Sequence, residues 1–333
     1  MKTLSFAGKN LSEFGVWFDS VRKYKKPAKR FTGFDIPARN GTLYQSNKKF
    51  DNVIIEYNCY IKDNFATNYN DLVNYLNSFD GYQILENSTD NTVYRMAVFH
   101  EEIAPNMEQF LKSGQFTLFF DCMPQEFLKT GDNEVTITTT TLTNPTLMAS
   151  KPIFKFQGNG KVMMNGNTVI TIPNPVRITV SDPVIMSGVT FTFSNVVDIN
   201  GLASADIEYL VGHLYLTVGT YTLNATVTGS GTVNCKCDGS TFTGNKTIVV
   251  TETGWIPIYA VIANGTTVNA TMTLTLTMDD IIVDCERMDS YFVSGGQANE
   301  IVKLTDGFIE IPKGTTTLSA DGTVTVKPKW WRL

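Results

Sequence analysis

The chain has 333 residues, 42% apolar, with 21 Phe and 13 Tyr; that composition excludes a disordered chain and allows two or three domains. Its net charge is −5 and its 27 Lys and Arg are scattered apart from VRKYKKPAKR at 21–30, so a broad basic field for nucleic acid is missing and that run is read as a solvated, mobile loop. Five cysteines without a regular framework (Cys59, Cys122, Cys235, Cys237, Cys285) imply no disulfide scaffold, and the lack of a signal-type or ~20-residue apolar run leads to the expectation of no membrane association and folding in a reducing cytosol.

Strand signals come first in chain order. Residues 51–62, DNVIIEYNCYIK, are β-branched and aromatic. Two helices are predicted after them. In 68–79, Leu72, Val73, Leu76 and Phe79 recur at helical spacing with Asn68 or Asn70 able to cap; 104–114, APNMEQFLKSG, reads as a short helix closed by Gly114. The Thr-rich stretch 131–147 then suits a connector or exposed edge strand, placing a first boundary near residue 145.

From residue 150 onward the pattern is all β. QGNG and NGN divide 150–171 into short strands, because Gly and Asn tolerate the positive φ of tight turns. Residues 187–278 are poor in charge and rich in Thr, Gly and Val, with turn signals at VGTY, TGSGT, CDGS and ANGTT, the spacing of an inserted β-sandwich. Within it, 266–278 alternates strictly, with Val268, Ala270, Met272, Leu274, Leu276 and Met278 on one face.

Catalytic chemistry finds little to build on. His100 and His213 are the only histidines, and no HExxH or GxSxG pattern occurs. Asp284 and Glu286 share one face of a predicted strand over 281–287, with Asp289 beyond it; that is how an edge strand alternates, and no Gly-turn calcium loop accompanies them. Cys235 and Cys237 lack two further zinc ligands and read as core thiols. No cofactor or metal is expected. The insert carries Tyr209, His213, Tyr215, Tyr221, Trp255 and Tyr259. Such aromatics either fill its core or stack on sugar rings, with Asn264 or Asp238 holding hydroxyls. Trp255, Tyr259, Tyr209 and Tyr215 are the candidate saccharide contacts.

Three stretches carry a resemblance: IPARNGTLYQSNKKFDNVIIEYNCYI (36–61), SKPIFKFQGNGKVMMNGNTVI (150–170), and VDCERMDSY with FIEIPKGTTTLSADGTVTVKPKWWRL (283–291 and 308–333). In that order they resemble the distal tail protein family of long-tailed bacteriophages. The resemblance implies a mainly β protein with an α+β ring-forming domain over 1–145. A galectin-like β-sandwich would span 146–186 and 279–333, carrying a carbohydrate-binding-module-like sandwich over 187–278. It implies a homo-hexamer in the virion, without catalytic residues, joining the tail tube protein to the tail-tip or baseplate hub protein. A receptor-binding protein and a host cell-wall saccharide are further expected partners; nucleic acid and membrane are not. The alternatives are an adhesion module first and foremost, or a cell-wall depolymerase.

The segment KPKWWRL poses its own problem, since adjacent side chains on a strand face opposite ways. Counting from Val324 and Val326 puts Trp330 in the core of the host sandwich. Trp331 then falls on the polar side, and with Arg332 should meet the ring-forming domain, a neighbouring subunit or the insert.

Overall fold

The computed structural model describes all residues except 1, 24, 110–112, 174–176, 180–184, 188–189, 194–200, 203–206, 217 and 263–266. It is mainly β and divides into two compact units, one of residues 1–132, 146–148 and 329–333, the other of 133–145 and 149–328. The changeover therefore falls after Asp132 rather than near residue 145. The physical reason is pairing: Val135–Asn144 runs antiparallel to Gly314–Lys327, from Val135 opposite Val326 to Asn144 opposite Gly314.

The first unit is built on a ten-stranded sheet. Val53–Ile61 lies between Val16–Lys23 and Ser113–Cys122, and its alternation buries Val53, Ile55, Tyr57, Cys59 and Ile61. Phe116, Leu118, Phe120 and Cys122 do the same from the neighbouring strand, so one apolar face collects aromatic bulk. The helix Phe65–Leu76 closes that face with Phe65, Leu72 and Leu76. It starts earlier than its capping signals suggest. Asn64 occupies the cap position in the left-handed region without a side-chain cap bond, while Asn68 donates to the Asp63 carbonyl instead. Core packing sets the start, because the Phe65 ring stacks on Tyr69 and meets Phe116 edge-on.

The second predicted helix is not formed. Asn106–Gln109 is a strand paired with Ser113–Cys122, and residues 110–112 lie outside the described residues. Backbone pairing to a strand whose alternate residues are anchored in the core outweighs weak helical spacing. Gly114 sits inside that neighbour, where a Cβ would run into the Phe65 ring.

The second unit contains an eight-stranded sheet and two smaller ones. In the eight-stranded sheet, Gly314–Lys327 pairs along one edge with Val135–Asn144, and along the other with Ile153–Phe156 and then Gly160–Met164. The two halves meet at Gly322, whose φ of 100° and approach to the Asn159 carbonyl leave no room for a side chain. Phe154, Phe156, Val162, Ile170, Val283, Leu318, Val324 and Val326 are buried.

Between Ile172 and Met278 lie a five-stranded and a six-stranded antiparallel sheet. Thr267–Met278 is the long strand expected from the alternation, with Leu274, Leu276 and Met278 buried. Leu214, Leu216, Val233, Cys235, Cys237, Ile258 and Ala260 are buried from the other sheet. Tyr221 is fully buried too and is core, not surface.

Candidate functional site

Two surfaces and one clamp stand out. The first surface is the hairpin Lys29–Phe34 with Leu43–Phe50. It begins at the end of the basic run 21–30, whose residues 25–28 lie outside any strand, as expected of a solvated connector. Its backbone ladder is supported by Arg30 ion-paired to Asp51, Thr32 bonded to Asn47 and Thr42 bonded to Asp35. Every residue of Lys29–Phe34 is exposed. Register puts Phe31 and Tyr44 on one face, where their rings meet edge-on at 6.3 Å, and Phe34 with Leu43 on the other. Tyr44 is 68% exposed and Phe31 52%. The hairpin and the stretch before it are basic: residues 21–50 hold nine Lys and Arg against one Asp, five of the nine within 29–50, whereas 51–132 hold thirteen Asp and Glu against four Lys and Arg. The signal that would have found it is the turn-forming Asn40-Gly41 between two segments that carry aromatics, Phe31 and Phe34 before it and Tyr44 and Phe50 after it.

The second surface is the outer face of the five-stranded sheet. Because Ile258 and Ala260 point inward, Trp255, Pro257 and Tyr259 point outward. Tyr215 lies opposite Trp255 with ring centroids 5.0 Å apart, and His213 stands edge-on to the same indole at 6.4 Å. On the other side Lys236 lies opposite Tyr259 and donates to Glu208 at 2.6 Å. Trp255 is 48% exposed, while Tyr215 and Tyr259 are half-buried. The structure thus brings three of the four candidate aromatics to one face. Tyr209 is opposite Ala260 in the ladder, but its side chain, like Asn264, lies outside the described residues. Asp238 is exposed in a turn with φ 50°.

The clamp is made by the KPKWWRL segment. The long strand ends at Lys327, and Pro328 followed by Lys329 at φ 55° breaks the parity count. Trp330 is therefore buried in the first unit and is not core of the host sandwich. Trp331–Arg332 forms a strand with Glu126–Leu128, pairing Trp331 with Phe127 and Arg332 with Glu126. Arg332 Nε donates to Glu126 at 2.9 Å and Nη2 to Asp90 at 2.8 Å. Glu126, 3% exposed, also accepts from Arg95 Nη2 at 2.6 Å. These bonds hold the guanidinium of Arg332 charged above its usual range, Glu126 contributing most.

The candidate catalytic groups are spent elsewhere. Asp284 is buried rather than solvent-facing, because its carboxylate accepts the amides of Glu286 and Arg287 at 3.0 Å and closes a turn. Glu286 faces Lys151 at 3.7 Å and Asp289 is bonded by Asn299. His100 lies 3.8 Å from Asp121. Among the described residues no three His, Cys, Asp or Glu come together as a metal site, and no helix is long and apolar enough to cross a membrane. All five cysteines are buried free thiols. Burial pushes Cys122, Cys235 and Cys285 up to about 12 and Cys237 to about 11.

No family model and no curated protein matches the chain. Solved structures to which it is similar include a phage baseplate and a phage protein. One is the phage p2 baseplate in its activated conformation, with a TM-score of 0.39, 10% identity, and 100% of this chain and 98% of that chain covered. The other is the Dit protein of phage SPP1, described as a paradigm of the hub adsorption apparatus in phages infecting Gram-positive bacteria, with a TM-score of 0.47, 13% identity, and 98% and 97% covered.

Proposed function

We propose that the chain is a structural distal tail protein of a bacteriophage, whose first unit self-associates into a hexameric ring at the tail tip. The ring joins the tail tube protein to the tail-tip or baseplate hub protein, and a receptor-binding protein is a further neighbour in the virion. The ordered resemblance of residues 36–61, 150–170, 283–291 and 308–333 motivates this reading, with the second unit supplying the galectin-like sandwich. The observation that carries it is the hairpin Lys29–Phe34 and Leu43–Phe50, apolar on both faces and exposed on both. A two-stranded ribbon is marginal alone, and such apolar exposure marks an association surface. Closing a ring takes a heterologous contact, one patch on a different patch of the next copy. A basic hairpin on an otherwise acidic unit supplies two unlike patches. The purified protein should appear as a hexamer by light scattering, and a monomer over a wide concentration range overturns the reading. Replacing Phe31 and Tyr44 by Ser should raise the dissociation constant about 30-fold, the scale of a lost hot spot.

A second role for the insert is favoured by the shared face of Tyr215, Trp255 and Tyr259. Trp255 and Tyr259 lie about 13 Å apart along their strand, which suits an extended saccharide chain better than a single ring. Six weak sites on one particle add avidity. The test is binding of the full chain to host cell-wall polymer, with Trp255→Ala expected to lose most of it; wild-type protein that ignores that polymer ends the idea. This reading assigns the protein no catalysis, and clearing of a cell-wall suspension by the purified chain would instead mark a depolymerase.

A further inference from the structure

The first unit is discontinuous. Its strand Glu126–Leu128 is three residues long and pairs on one side with Val93 and Tyr94. Its other side is filled by residues some 206 positions downstream, Glu126 with Arg332 and Phe127 with Trp331. Leu128 N donates to the Trp330 carbonyl and Lys329 N to the Gly131 carbonyl, both at 2.8 Å. The fit is close, since a Cβ on Gly131 would run into the Trp330 backbone.

Side chains lock the same segment from both ends. Lys329 Nζ reaches Asp132 and the Tyr94 hydroxyl, while Arg332 bridges Glu126 and Asp90. Beneath them lies a cavity of about 190 Å³ whose lining includes Asp90, Tyr94, Arg95 and Glu126. Without residues 329–332, Phe127 and Leu128 lose ladder bonds and buried Glu126 loses its bond from Arg332.

We propose that the Glu126–Leu128 edge is a strand-acceptor site, filled by residues 329–332, and that the N-terminal unit becomes native only after the chain has been made through Arg332. The second unit, insert included, is thus synthesised before the first can close. Contacts of such sequence separation form late, because the intervening loop must be ordered first. A nascent chain carrying only residues 1–132 holds an open strand edge at Glu126–Leu128 until residues 329–332 arrive. The inference does not depend on the ring or on saccharide binding.

Hydrogen exchange on dilute protein tests it, so that self-association plays no part in the readout. In a chain stopped after Pro328, amides of Val93, Tyr94, Phe127 and Leu128 should exchange at least 100-fold faster, while those of Phe154, Val162 and Ile170 stay unchanged. Adding a synthetic peptide of residues 327–333 should restore the slow exchange. In the full-length chain, Trp331→Ala with Arg332→Ala should speed the same four amides at least tenfold. Full protection in the shortened chain, no change in the double variant, or equal loss of protection in the second unit would overturn the proposal.

Discussion

Glu126 shows how much one buried carboxylate can carry. It is shared between Arg95 and Arg332, so Glu126→Ala leaves Arg95 buried without its counter-ion. The expected cost is about 3–5 kcal/mol, read as a lower urea midpoint for the first unit. Asp90 responds to pH. The Thr92 hydroxyl and amide, and then Arg332, hold its carboxyl below the usual range. Stability from a lowered carboxyl is fully present above the ordinary Asp pKa of about 3.9 and is lost as pH falls through the lowered value. Melting temperature should therefore drop below about pH 4, and Asp90→Asn should flatten part of that drop. The cysteines should be inert: with burial raising each thiol, iodoacetamide at pH 8 should label none until the chain is unfolded.

At the level of elements, Gly114 is a strand residue whose missing side chain makes room for Phe65 of the helix. Gly114→Ala should cost about 1–3 kcal/mol by overpacking, measured by thermal unfolding, because the Phe65 ring must shift within a packed core. The same contact explains why the helix begins at Phe65 and not at a capping Asn. Helical spacing over 68–79 was readable because Leu72 and Leu76 recur at the core-facing period. The false helix at 104–114 came from spacing alone, which cannot see that Ser113–Cys122 offers an edge to pair with. The basic run at 21–30 was legible as a solvated connector over 25–28, but charge counting says nothing of the hairpin that starts at Lys29.

For the whole molecule, the separation of charge between 21–50 and 51–132 predicts salt-sensitive association. Raising ionic strength from 0.05 to 0.5 M shortens the Debye length from more than 10 Å to well under it, so the ring proposed above should, by light scattering, weaken and assemble more slowly. Strand periodicity, turn chemistry and composition by themselves determined the mainly β class, the short turn-divided strands after residue 150 and the long alternating strand that ends at Met278. These are local properties, set by side-chain alternation and by which residues tolerate tight turns. Only the tertiary structure decided where Val135–Asn144 pairs, that Trp330 belongs to the first unit, and that Arg332 closes a unit begun three hundred residues earlier. Those outcomes depend on partners distant in sequence, and a break of two residues at Pro328 and Lys329 is enough to redirect every side chain after it.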